Sequence, residues 1–115
     1  MNKLLFSFLG GFLILTMPAL ANAAELYGKF SSNKSSLLKG ATMFVKCDDW
    51  QQTVKIGSDG KYNVRGIPGN RGCFFVIQHP KYKDSPQVRF NTNKSVVTLN
   101  AELRQRDNRI LVLRR

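Results

Sequence analysis

Cys47, Cys73 and His79 are the side chains of this sequence best suited to covalent or acid–base chemistry. A thiol becomes a working nucleophile beside a base, and a triad needs a third group to orient that base. His79 is the only histidine, it precedes Pro80 at the end of an apolar run, and no second site member can be named beside it. Asp48-Asp49 follows Cys47 and could help hold a hard cation, but Ca²⁺ takes six or more oxygens, and two adjacent carboxylates in a strand-ending loop are usually solvated. The residues therefore argue for no catalytic group, no cofactor and no metal site.

The chemistry left to the cysteines depends on compartment. Lys3 precedes an apolar run from Leu4 to Met17, and Pro18 leads into Ala19-Leu20-Ala21-Asn22-Ala23-Ala24. A short positive region, an apolar stretch and an Ala-x-Ala site are the parts of a secretory signal peptide, here residues 1–23 with cleavage after Ala23. A membrane anchor is the competing reading, but an uninterrupted span needs ~20 apolar residues, and Gly10-Gly11 and Pro18 break this one early. No Cys follows the apolar stretch to carry a lipid. The expectation is a periplasmic or secreted protein with no stable membrane span in the mature chain.

Removal of 23 of the 115 residues leaves 92, one domain with a modest core. In an oxidising space an even cysteine count argues for a Cys47–Cys73 disulfide, the alternative being two buried free thiols. Closing a loop of about 26 residues is worth roughly 3 to 3.5 kcal/mol on the chain-entropy account.

Losing Lys3 leaves 17 basic against 7 acidic side chains, a mature net charge of +10. A field of that size attracts polyanions such as lipopolysaccharide, anionic polysaccharide or nucleic acid. The basic residues are scattered, and Arg104, Arg106, Arg109, Arg114 and Arg115 form the one concentration, so they are the candidate polyanion contacts.

The elements that would position these residues are strands. Leu26, Gly28 and Phe30 alternate with Tyr27 and Lys29, and Ala41, Met43, Val45 and Cys47 share one face of a second strand, leaving Phe44 outside. Gln52, Val54 and Ile56 rise into a Ser58-Asp59-Gly60 turn, and Tyr62 and Val64 descend from it. Gly66-Ile67-Pro68-Gly69-Asn70 reads as a corner that ends this strand. Cys73 to Ile77 is apolar on both faces and should be central. Val88 and Phe90 open a further strand, and Val97, Leu99, Ala101 and Leu103 keep a period of two. Residues 100–106 could instead form a short helix; strand is preferred, with Ile110 to Leu113 last. Phe44, Phe74, Trp50 and Tyr27 fall on outward or ambiguous faces, and the first three are the candidate docking aromatics. The C-terminal extension covering Phe44 and Phe74 as a second core layer is an equal alternative.

Gly28, Lys39-Gly40-Ala41-x-Met43-x-Val45, Asp59-Gly60-Lys61-Tyr62-x-Val64, Ile67-Pro68-Gly69 and Pro80-Lys81-Tyr82 together resemble the carboxypeptidase regulatory-like domains of the transthyretin-like (prealbumin-like) group. The resemblance covers roughly Leu26 to Leu103. It implies an all-β, seven- to eight-stranded Greek-key β-sandwich in which the strands carrying Cys47 and Cys73 are antiparallel neighbours with both thiols turned inward. It also implies a binding or assembly unit: the hydrolases and intradiol dioxygenases built on similar sandwiches need several histidines, and this chain has one. Lys81 and Cys73 depart from the pattern, and Ile110 to Arg115 extends beyond it.

The expectation is an exported, non-enzymatic β-sandwich serving as a binding or accessory module for a cell-envelope protein partner. The alternatives are a basic polyanion binder using the arginine-rich C-terminus and, third, a secreted effector or enzyme inhibitor.

Overall fold

Period-two alternation becomes burial wherever a strand has a neighbour on one face only. The computed structural model describes residues 23–115. Nine strands follow in order: β1 (Ala23–Ser31), β2 (Thr42–Cys47), β3 (Trp50–Lys55), β4 (Lys61–Pro68), β5 (Gly72–Gln78), β6 (Val88–Asn91), β7 (Val96–Thr98), β8 (Ala101–Arg106) and β9 (Arg109–Arg114). A single 3₁₀ turn, Ser35–Leu37, lies between β1 and β2. The expected signal peptide lies outside the described residues, apart from Ala23, which opens β1 and pairs with Pro68.

The strands form two sheets, β4-β1-β8-β9 with β7 also on β1, and β3-β2-β5-β6. The all-β sandwich read from the alternation is the fold observed. Leu26 and Phe30 of β1, Tyr62 and Val64 of β4, Leu103 of β8 and Ile110 of β9 meet Met43, Val45, Phe75 and Ile77 of the facing sheet in one buried cluster. Phe30 stacks on Tyr62 with ring centroids 4.8 Å apart and meets Phe75 edge-on at 6.0 Å, which ties the two layers together. As its two apolar faces require, β5 is central, antiparallel to both β2 and β6.

Two local details differ from the pattern read in the sequence, and a third decides its open alternative in favour of the preferred strand. First, β4 does not stop before Gly66. Its register on β1 shifts between Ala24 and Leu26, and Gly66, at φ 75°, forms a bulge that returns Ile67 to the core. The corner therefore begins only at Gly69. Second, the apolar series from Val97 to Leu103 is two strands. β7 runs parallel to β1 at Glu25–Tyr27 and β8 parallel to it at Phe30–Ser31, and the chain breaks step between them. Leu99 carries its carbonyl under Gly28, where an added Cβ would lie 1.9 Å from the oxygen, and that carbonyl accepts the Tyr62 hydroxyl at 2.6 Å. Burial pushes the Tyr62 phenol well above its usual range, with Arg114 pulling weakly the other way. Third, residues 101–106 are strand, because β9 pairs with them along their whole length. The helix-favouring composition of that segment is overridden by its partner.

Candidate functional site

Cys47 ends β2 and Cys73 opens β5, and the antiparallel register that sets Lys46 opposite Phe74 brings the next pair together. Both side chains face the core and form a disulfide with Cα atoms 4.4 Å apart. The sulfurs are consumed structurally, at the end of the molecule where Asp48 takes a left-handed turn, φ 52°, and lies 3.5 Å from Arg71. Among the described residues no group of three or more His, Cys, Asp or Glu side chains is placed to hold a metal ion.

His79 is built into a loop. Its Nε2 lies 3.0 Å from the Ser36 carbonyl oxygen and 2.9 Å from that of Lys39, so this nitrogen carries the proton, while Nδ1 accepts the Lys81 N–H at 3.1 Å. The ring also packs against Tyr82, 5.0 Å between centroids. Both ring nitrogens are engaged: Nε2 fastens the segment after β1 to the end of β5, and Nδ1 closes the turn at Lys81.

The C-terminal arginines separate into different roles. Arg104 and Arg115 both reach the Glu102 carboxylate, at 3.2 and 2.9 Å, on the outer face of β8. The hydrogen bond from Arg104 is the main influence that holds this carboxyl below its usual range; desolvation opposes it, and the charges of Arg104 and Arg115 add to the lowering. Arg106 stands opposite Arg109 at the β8–β9 turn, and Arg109 donates through Nε to the Asp84 carbonyl. Arg114 points the other way, donating to the Arg89 carbonyl of β6 in the facing sheet. The sequence cluster is thus divided between two arginines sharing the Glu102 carboxylate, a hairpin tip and an edge.

The aromatics divide as well. Trp50 pairs with Cys47 and packs against the core, so it faces inward. Tyr27 is 42% exposed on the outer face of the other sheet. Phe44 and Phe74 remain together. With Met43, Val45 and Phe75 turned fully inward, Phe44, Phe74 and Val76 share the outer face of β2 and β5; Phe44 lies opposite Val76, and Phe74 opposite Lys46 on one side and Arg89 on the other. All three are half-buried. The C-terminal strand does not cover them, since β9 joins β8 in the opposite sheet. The result is a flat apolar strip at the centre of a four-stranded sheet, with Lys46 and Arg89 beside it and the amide-bearing Gln51 and Gln78 on adjoining positions.

No family model and no curated protein matches the chain. Among solved structures, an NMR structure of a protein from Eubacterium rectale superposes with a TM-score of 0.54 at 12% identity, covering 81% of this chain and 88% of that one. The TIE protein of Bacillus anthracis superposes with a TM-score of 0.43 at 20% identity over 70% of this chain, which spans only 16% of that protein. The first similarity is one of fold.

Signal in the sequence placed Phe44 outward, because it interrupts the polar side of an alternating strand, whereas Phe74 lies on a strand apolar on both faces and its outward position is set by the pairing of β5 with β2 and β6. That signal was insufficient for Glu102, whose burial on an outer face comes from two arginines folding over it.

Proposed function

We propose that this chain is an exported, non-enzymatic binding module of the transthyretin-like type, which docks a protein of the cell envelope through the outer face of β3-β2-β5-β6. The observation that carries the reading is the strip of Phe44, Phe74 and Val76, an apolar centre with a basic border on a sheet face that no strand among the described residues covers. Interfaces concentrate affinity in a few central aromatics shielded by a polar rim, and this face has that composition. The occupant that fits is a protein surface with an apolar centre and carboxylates at its margin, positioned for Lys46 and Arg89. The disulfide supports export to an oxidising space. The inward-facing cysteines on antiparallel neighbours support the transthyretin-like resemblance, which implied that arrangement.

The test is a photo-crosslinking amino acid placed at position 74 in intact cells, compared with the same group at position 106 on the far sheet. The expected result is one discrete adduct from position 74, displaced by excess native protein and not by a Phe44→Ser/Phe74→Ser variant. Equal yields from both positions, or no displacement, would reject the docking face.

A further inference from the structure

On the opposite sheet, β1 and β4 place Lys29 directly across from Lys61. The Lys29 N–H turns away to Asn100 Oδ1 at 2.9 Å and the Lys61 N–H to Asp59 Oδ1 at 3.0 Å, so the two form a non-hydrogen-bonded pair, the kind in which opposing side chains are nearest. Like charges so placed repel, and among the described residues no carboxylate lies within 4.0 Å of either ammonium. The two nearby acids are otherwise engaged. Asp59 holds the turn through the Lys61 N–H, and Glu25 is taken by Asn63 and Arg65.

The same two lysines line an open groove of about 750 Å³, with Lys55 entering from the end of β3 and Tyr27, Thr98 and Asn100 completing its wall. Tyr27 presents an exposed ring beside the lysines, the two residues lying two apart on one face of β1. The Asn100 side-chain oxygen accepts the Lys29 N–H, and the same side chain, which also carries an amide donor, lines the groove. Repulsion retained at a groove wall, next to a flat amphipathic ring and an amide donor, matches a ligand that is anionic at one end and carries hydroxyls and a ring-sized apolar face at the other.

We propose that this groove binds a sugar bearing a sulfate or phosphate ester, the ester between Lys29 and Lys61 and the pyranose face against Tyr27. A single exposed aromatic suits one ring; a run of nucleobases would require successive stacking platforms. Lys29, Lys61 and Tyr27 lie on the sheet opposite the Phe44–Phe74 strip, and Lys55, at the end of β3, is the one lining residue contributed by the docking sheet.

The test follows backbone amide shifts by NMR while titrating four probes: a sulfated heparin disaccharide, its desulfated counterpart, inorganic sulfate and a short oligothymidylate. The expected result is saturable shifts at Tyr27, Lys29, Lys61 and Asn100 with the sulfated disaccharide. Binding falls at least about tenfold in Lys29→Gln/Lys61→Gln, survives in Lys29→Arg/Lys61→Arg, and falls about threefold or more in Tyr27→Ala. A thermal melt of each variant verifies folding. Absence of saturable shifts, or shifts confined to Arg104–Arg115, overturns the site. Equal binding of the desulfated sugar or of inorganic sulfate overturns the ester-plus-ring assignment, and tighter binding of the oligonucleotide at these residues overturns the choice of saccharide.

Discussion

Reducing the Cys47–Cys73 bridge should release a constraint on the unfolded chain while leaving the folded one nearly unchanged, because β2 and β5 already hold these two positions side by side. For a sequence separation of 26 residues, loop-closure entropy gives about 3.5 kcal/mol at 25 °C. A domain of about 90 residues is stable by roughly 5 to 14 kcal/mol in all, so the bridge would supply between about a quarter and two-thirds of it. At about 4 to 8 °C per kcal/mol, the melting temperature should fall by roughly 14 to 28 °C on reduction. The assay is urea unfolding followed by the fluorescence of Trp50, the only tryptophan, with and without a thiol-free reductant. The midpoint should drop and the slope rise slightly, as the reduced unfolded chain exposes more surface. A loss below about 1 kcal/mol would refute the entropic reasoning, since the loop length leaves no room for so small an effect unless the reduced unfolded chain keeps structure across it.

Three further outcomes follow from single contacts. The folded-state Glu102 carboxyl titrates below its unfolded value, so its contribution is present in full above the unfolded pKa and disappears as pH falls through the folded one; acid unfolding between about pH 5 and 3 should therefore be steeper for the native chain than for Glu102→Gln, and parallel curves would count against the Arg104 and Arg115 contacts. Gly28→Ala should destabilise by about 1 to 3 kcal/mol or more, because its Cβ meets the backbone oxygen of Leu99 at 1.9 Å, and calorimetric stability equal to the native chain would show that the β7–β8 connection moves freely. Lys29→Gln should stabilise the protein by about 0.2 to 1 kcal/mol in low-salt denaturation while weakening the anion site, and a loss of stability would remove the claim that the Lys29–Lys61 pair is a retained cost.

The parts of this fold legible in the sequence are those set by neighbours along the chain. Met43, Val45 and Cys47 alternate with Thr42, Phe44 and Lys46, and the Asp59-Gly60 turn follows from a glycine at φ 88° whose Cβ would otherwise strike the Phe30 carbonyl. What was not legible depends on contacts distant in sequence. The break between β7 and β8 arises because the Leu99 carbonyl must meet Tyr62 beneath Gly28, and the bulge at Gly66 arises because β4 must keep pairing as far as Ala23. For the candidate sites the division is similar. Phe44 announced itself as an apolar residue on a polar phase, Phe74 was ambiguous on a strand apolar on both faces, and Trp50 misled because its face is set by pairing with Cys47. The groove at Lys29 and Lys61 was invisible, since 32 positions of chain separate the two lysines and only the β1–β4 register brings them together.

Docking through the outer face of β2 and β5, as proposed, is tested most directly by the affinity, from titration calorimetry, of the partner captured at position 74 for the native protein and for Phe74→Ser. A central aromatic in a docking face is worth about 2 kcal/mol or more, so binding should weaken by at least about thirtyfold with the melting temperature preserved. Unchanged affinity in a folded Phe74→Ser protein would contradict the account.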